Sequence, residues 1–323
     1  MEYKELGRSG IKVSIIGLGT WQWGSHEWGW GRLYGKKDVL DAFEKALELG
    51  INFIDTAEAY GRGRSEELVG EAICNHREEV VIATKVWPTN LTYNRLLRAA
   101  ERSRQRLGVD AIDLYQVHWP NPIIPIDHTM KAMKKLVNTG KVRCVGVSNF
   151  NTRKLIAAQR ALAPLELTSN QMKYNLLERG IERELLPYME GEKISMIAYS
   201  PLAQGLLAGK YHSGSKPSSF VQKINFRFSP RNLTRLQAIT SAMSEIAKAH
   251  TKTPTQAALN WVLRKENVVA IPGVKRSMNV VENAGAMGWK LTDEELATIE
   301  DAAANVKFSR AAALPSLLRA LAR

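Results

Sequence analysis

Cysteine is scarce in this chain. Among 323 residues only Cys74 and Cys144 occur, and Cys144 lies inside an apolar run. Two cysteines so placed argue against a disulfide-stapled scaffold and fit a reducing compartment. Long apolar runs are missing too: no stretch is long enough to span a bilayer. The opening Met1–Leu6 is charged from the start and lacks the apolar region of a secretory signal, so a cytoplasmic protein is expected. Acidic residues are few relative to basic ones, 32 against 45, which leaves a net charge of +13. Such an excess suits nucleic acid, a membrane surface or an anionic small molecule. The bases are dispersed, however. Arg98, Arg102, Arg104 and Arg106 fall in one predicted helix and Lys131, Lys134 and Lys135 in another, the pattern of solvated outer helix faces. No nucleic-acid-binding signature accompanies them, so neither nucleic acid nor membrane is expected as a partner.

What is present is a repeat of short apolar runs. Ile15–Thr20, Phe53–Thr56, Val80–Lys85, Ile112–His118, Val142–Ser148, Leu167–Gln171, Ile194–Tyr199 and Val268–Pro272 read as strands buried on both faces. Helical periodicity fills most of the gaps, over Asp38–Leu49, a segment capped by Ser65, Thr92–Leu107, Asp127–Thr139, Thr152–Leu162, Ile181–Glu190 and Asn232–Ala249. Eight strands alternating with helices predict a (β/α)8 TIM barrel over residues 1–323, preceded by an N-terminal β-hairpin within Met1–Lys12. A doubly wound sheet is the rival, but Gly17-Leu18-Gly19-Thr20-Trp21-Gln22 breaks the Gly-x-Gly-x-x-Gly pattern expected after its first strand. One interval is irregular. Residues 200–231, after the seventh barrel strand, form a long Gly/Ser/Lys-rich loop, read as a cover for a cofactor. The tail, 306–323, carries Leu314, Leu317, Leu318 and Leu321 at helical spacing, to cross the barrel mouth, pack outside it or meet a second subunit.

Polar residues close the strands. Asp55, Lys85, His118, Ser148, Gln171 and Tyr199 follow one another at intervals of 30, 33, 30, 23 and 28 residues, about one βα unit each. In a barrel they gather on the face where such folds do chemistry. Asp55, Tyr60, Lys85 and His118 make a poor metal set, because a lysine among the ligands repels a cation. Ser148 lacks the glycines of a nucleophile elbow. A tyrosine beside a lysine is different: the ammonium favours phenolate, bringing Tyr60 closer to exchanging a proton near neutral pH. Asp55 would hold Lys85 charged, and His118 would aim a donor at a substrate oxygen. That set suits protonation of an oxygen becoming an alkoxide, as when a carbonyl accepts hydride. No side chain donates hydride, so a nicotinamide cofactor is implied.

The segment Asp55-Thr56-Ala57-Glu58-Ala59-Tyr60-Gly61 resembles the signature of the aldo-keto reductase superfamily. The resemblance continues through Ala83-Thr84-Lys85, Leu114-Tyr115-Gln116-Val117-His118-Trp119, Gly146-Val147-Ser148-Asn149-Phe150, Gln171-Met172-Lys173-Tyr174-Asn175 and Tyr199-Ser200-Pro201-Leu202, covering nearly the whole chain in family order. It implies a catalytic tetrad of Asp55, Tyr60, Lys85 and His118, with Tyr60 the general acid in reduction. It further implies that Ser148, Asn149 and Gln171 hold the nicotinamide carboxamide, that Tyr199 stacks on the ring, and that Asp55 approaches the ribose. Ser200, Leu202, Gln204 and Lys210 match the segment wrapped over the pyrophosphate. Gly273, Lys275, Arg276 and Ser277, followed by Asn279, Glu282 and Asn283, resemble the adenosine-binding turn, where basic and hydroxyl groups favour NADPH over NADH.

Eight tryptophans are many for this length. Trp21, Trp87 and Trp119 follow the first, third and fourth barrel strands and are expected to wall a pocket for a small hydrophobic carbonyl compound; Trp28 and Trp30 read equally as pocket or as loop packing. The expected activity is therefore reduction of aldehydes, and of ketones, to alcohols with NADPH. The alternative is a cofactor-sensing regulatory subunit. Oligomeric state and physiological substrate are not legible.

Overall fold

The computed structural model describes residues 1–212 and 214–309, so the leucines of the tail from 310 onward lie outside the described residues. Two short strands, β1 (Tyr3–Glu5) and β2 (Lys12–Ser14), pair antiparallel as the expected hairpin. Eight parallel strands follow: β3 (Leu18–Gly19), β4 (Phe53–Asp55), β5 (Val81–Val86), β6 (Ile112–Val117), β7 (Val142–Ser148), β8 (Leu167–Lys173), β9 (Ser195–Tyr199) and β10 (Val268–Ile271). Each pairs with its sequence neighbour, as short right-handed crossovers require. Closure comes from two bridges, Ile16 with Ala270 and Gly19 with Gly273, and from the Gly17 N–H donating to Ala270 O at 2.7 Å. The result is the (β/α)8 TIM barrel.

Two apolar cores hold it. Inside the barrel, Phe53, Val81, Ala83, Leu114, Ile197 and Val269 pack on one another, and Leu6, Ile11 and Val13 of the hairpin plug the lower end. Outside, the strands' other faces meet the helices α1 (Lys36–Glu48), α2 (Arg64–Ile73), α3 (Tyr93–Leu107), α4 (Ile126–Asn138), α5 (Thr152–Leu162) and α6 (Leu185–Gly191). Strands buried on both faces explain why every residue of β5 and β6 is buried. Among the described residues no helix is long and apolar enough to cross a membrane.

Several expectations change in detail. Ser65 does not cap α2, whose N-cap is Gly63; it lies within the helix, fully buried, with its hydroxyl on Thr20 O at 3.0 Å. The long segment after β9 is not bare loop: it contains a 3₁₀ turn at Ala203–Ala208 and the short helix α7 (Phe220–Ile224). The single helix expected over Asn232–Ala249 is two, α8 (Pro230–Arg235) and α9 (Gln237–Ala249), parted at Leu236. Beyond them α10 (Pro254–Leu263), α11 (Ser277–Ala284) and α12 (Asp293–Ala304) complete the ring.

Candidate active site

Three strand ends and one loop supply the polar centre. Asp55 ends β4, Lys85 lies one residue before the end of β5, and His118 follows β6 directly. Tyr60 comes from the turn after β4, where Gly61 and Arg62 adopt positive φ (56° and 57°) and swing the chain back over the barrel mouth. The fully buried Lys85 Nζ donates to Asp55 Oδ1 at 2.5 Å, to Thr56 O at 2.8 Å and to the Tyr60 hydroxyl at 3.3 Å. Asp55 Oδ2 accepts from Gln171 Nε2 at 2.7 Å and, more weakly, from Gln116 Nε2 at 3.4 Å. Burying an ion pair costs several kcal/mol per ion, and an apolar pair of equal volume often serves stability as well. Its presence in the barrel interior points to chemistry rather than to scaffolding.

Electrostatics alters one expectation. Burial raises the Tyr60 phenol above its ordinary range, Lys85 pulls it down, and the Asp55 charge pushes it up again; the net shift is upward. Lys85 therefore offsets the cost of a buried phenolate without bringing Tyr60 towards neutrality, and Tyr60 is held as a neutral proton donor. Burial works to discharge Lys85, but Asp55 and Tyr60 outweigh it, and its value is raised. His118 is lowered to about 3, by burial and then by Lys85, so its imidazole is neutral. The ring lies between two aromatic edges, with Tyr60 at 5.7 Å and Trp87 at 5.2 Å between centroids.

A groove of about 1170 Å³, open to solvent, runs from this centre across the barrel mouth. Asp55, Tyr60, Trp21, Tyr199, Ser200, Leu202, Gln204 and Lys210 line it. Gly273, Lys275, Asn279, Glu282 and the buried Asn283 line it as well. Ser148, Asn149 and Gln171 are joined behind Tyr199: Ser148 Oγ donates to Gln171 O at 2.9 Å, Asn149 Nδ2 to Ser148 Oγ at 2.9 Å, and the Tyr199 hydroxyl to Asn149 Oδ1 at 2.9 Å. Backbone strain recurs in the segments that carry these residues. Arg62, Asn149, Ser200, Ala203 and Gln204 have positive φ, as do Lys193 and Thr251 elsewhere, a conformation that costs non-glycine residues energy and is frequent at functional sites.

Not every candidate faces the groove. Arg276 turns outward, with Nε on Asp38 Oδ1 at 3.2 Å and Nη2 on Leu33 O at 2.5 Å, and neither it nor Ser277 lines the cleft. Lys275 does line it: Nζ donates to Trp28 O at 3.1 Å and stands over the Trp28 and Tyr34 rings. Burial, then Lys210 and Arg276, lower it to about 8. Trp21 lines the groove and tilts against Tyr60 at 6.2 Å, whereas the exposed Trp87 and Trp119 are not among the lining residues. Trp28, left open between pocket and packing, is a buried wall of the groove. Sequence reasoning missed Gln116 and Gln22, whose side chain lies against the bare Cα of Gly273. A glutamine inside the apolar run of β6 was the available signal for the first.

A parallel barrel with a buried Asp–Lys–Tyr–His centre at the carboxyl ends of its strands defines an oxidoreductase class of site. The sequence model of the Aldo/keto reductase family matches residues 15–304, and the chain belongs to that family. It is 38% identical to an uncharacterized oxidoreductase of Mycobacterium tuberculosis, over 94% of this chain and 93% of the relative. It is 37% identical to the chloroplastic pyridoxal reductase of Arabidopsis thaliana, over 91% and 84%. Among solved structures, an aldo-keto reductase from Klebsiella pneumoniae in complex with NADPH superposes with a TM-score of 0.78 at 34% identity, covering 93% of this chain and 95% of that one.

Proposed function

We propose that this protein reduces aldehydes, and ketones, to alcohols with NADPH, Tyr60 acting as general acid. The observation that carries the reading is Lys85, a buried ammonium bonded at once to a carboxylate and to a phenol that opens on the groove. Bound NADPH supplies the hydride that no side chain can. The chain's own part follows from its geometry. Tyr60, kept neutral by burial, gives its proton to the nascent alkoxide, and the adjacent Lys85 ammonium stabilises the phenolate left behind. Asp55 keeps Lys85 charged and in place. Neutral His118 offers one ring N–H to the carbonyl oxygen, orienting it for the transfer.

The groove fits a dinucleotide phosphate. Lys210 and Lys275 line it without carboxylate partners among the described ion pairs, and an anion between them would relieve their mutual repulsion. Gly19 and Gly273 are among its lining residues. We assign Tyr199, Ser148, Asn149 and Gln171 to the nicotinamide end, with Asp55 towards the ribose. Ser200, Leu202, Gln204 and Lys210 take the pyrophosphate, and Gly273, Lys275, Asn279, Glu282 and Asn283 the adenosine end. Arg276 reaches that end only if its pair with Asp38 opens. Trp21, Trp87 and Trp119 favour a hydrophobic carbonyl substrate, and the Arabidopsis and Klebsiella relatives support a reductase using NADPH. The free thiols Cys74 and Cys144 suit a cytoplasmic setting.

The test is aldehyde-dependent loss of NADPH absorbance, run in parallel with NADH, on wild type and Tyr60→Phe. Loss of the acid is expected to cut turnover by about 10²–10⁴, the usual worth of general acid catalysis, while NADPH still binds by fluorescence titration. A Tyr60→Phe enzyme with most of its activity removes Tyr60 from the mechanism. Absence of NADPH binding in the wild type removes the whole reading.

A further inference from the structure

Glu58 stands inside the motif between Asp55 and Tyr60, and nothing in the mechanism above uses it. Its side chain is only 8% exposed. Oε1 accepts from the backbone N–H of Trp87 at 2.6 Å and from Asn90 Nδ2 at 3.0 Å, and Oε2 lies 3.6 Å from the half-exposed Arg102 guanidinium. The Glu58 backbone N–H also donates to Lys85 O at 3.3 Å. One residue thus grips the chain leaving β5 at two points, beside the catalytic lysine and at Trp87.

The grip matters because of what Trp87 touches. Histidines used in catalysis are commonly oriented by a hydrogen bond on the second ring nitrogen. His118 Nδ1 is buried with no hydrogen-bond partner among the described residues. Its plane is set instead by packing, with Tyr60 and Trp87 nearly perpendicular to it at 82° and 89°. Both of those rings belong to segments that Glu58 ties together.

We propose that Glu58 is a positioning residue for this reductase site: by fixing the Trp87 backbone it sets the indole that holds the His118 imidazole in its working plane. The proposal rests on the reductase reading, so its test needs a signal independent of turnover. That signal is the set of ring C–H resonances of His118 in histidine-labelled protein, assigned by loss in His118→Ala and sensitive to the neighbouring rings. In Glu58→Ala these resonances move towards their positions in Trp87→Ala; in Glu58→Gln, which can still accept from Trp87 N, they stay near wild type. Kinetically, Glu58→Ala is expected to lose about tenfold or more in kcat, in line with the sensitivity of catalysis to small misplacements, with NADPH affinity unchanged. Glu58→Gln recovers most of that loss, and the Glu58→Ala/Trp87→Ala double variant is no worse than Trp87→Ala alone.

Unmoved His118 resonances in Glu58→Ala overturn the proposal, as do losses at the two positions that multiply. Should Glu58→Ala not fold, Glu58→Asp withdraws the same charge by one methylene and is read in the same way. A wild type that reduces no carbonyl compound overturns the reductase reading alone, because the resonances report on Glu58 with or without turnover.

Discussion

Lys275 shows how one residue couples charge to ligand choice. It lines the groove with its ammonium over two rings and near two other cations, and burial before all else lowers it to about 8. Its proton is therefore loosely held in the free protein. A phosphate placed beside it favours the ammonium and raises that value. Above pH of about 8 binding must then take up a proton, and affinity falls with rising pH at up to about tenfold per unit; below about pH 7 Lys275 is charged in both states and the slope vanishes. NADH lacks the 2′-phosphate, so its slope should be shallower. Fluorescence titration of both cofactors across this range measures the difference, and Lys275→Met should abolish it. Identical pH dependence for NADPH and NADH would place the 2′-phosphate elsewhere, with Arg276 the first candidate once freed from Asp38.

At the scale of elements the weakest join is the seam where β3 meets β10. β3 is only two residues long, and Gly19 sits where an added Cβ would come within 2.8 Å of Ile271 O and 3.0 Å of Pro272 O. Those are backbone atoms and cannot swing aside. Gly19→Ala should force the seam open, and overpacking of this kind costs about 1–3 kcal/mol. It is measured as a lower urea midpoint at unchanged m; an unchanged midpoint would mean that closure does not depend on this contact. The strands themselves were legible because burial on both faces writes a continuous apolar run, and the residues closing them were legible because one βα unit spaces them evenly. What stayed hidden lacks an amphipathic period or a breaker. α10 is buried nearly all round, with Ala257, Ala258, Leu259, Trp261 and Val262 inside, so no amphipathic stripe marks it; its start was nevertheless written in Thr253-Pro254 and the capping-box Gln256. The break at Leu236 has neither glycine nor proline. Arg276 looked like a groove residue until the fold brought Asp38, more than two hundred residues earlier in the chain, beside it. The direction of the Tyr60 shift was hidden for the same reason, since spacing reveals that Lys85 is near but not how much water is lost.

For the whole molecule the open question is its charge of +13. Much of the charge is locally balanced: Arg77 and Arg143 share Asp113, Arg179 and Arg264 share Glu182 and Glu300, and Arg106 pairs with the buried Glu66. Those pairs stitch elements together, and all but the two arginines on the single Asp113 cancel in charge. Lys210 and Lys275 are different, since they line an open cleft in a low-dielectric wall, where field lines are focused towards an arriving anion. If the excess charge serves the cofactor, it acts on encounter. The association rate of NADPH, by stopped-flow quenching, should then fall severalfold as salt rises from about 0.01 M to 0.15 M, over which the Debye length shrinks from about 30 Å to 8 Å. Dissociation should change far less, because the contacts of the bound state are short and poorly screened. Lys210→Met should flatten the salt dependence, whereas neutralising the outer-helix Lys131 and Lys134 should leave it nearly intact. Equal effects from groove and outer-helix variants would mean that the charge acts as a diffuse property of the surface, contributing to solubility rather than to guiding an anionic ligand into the groove.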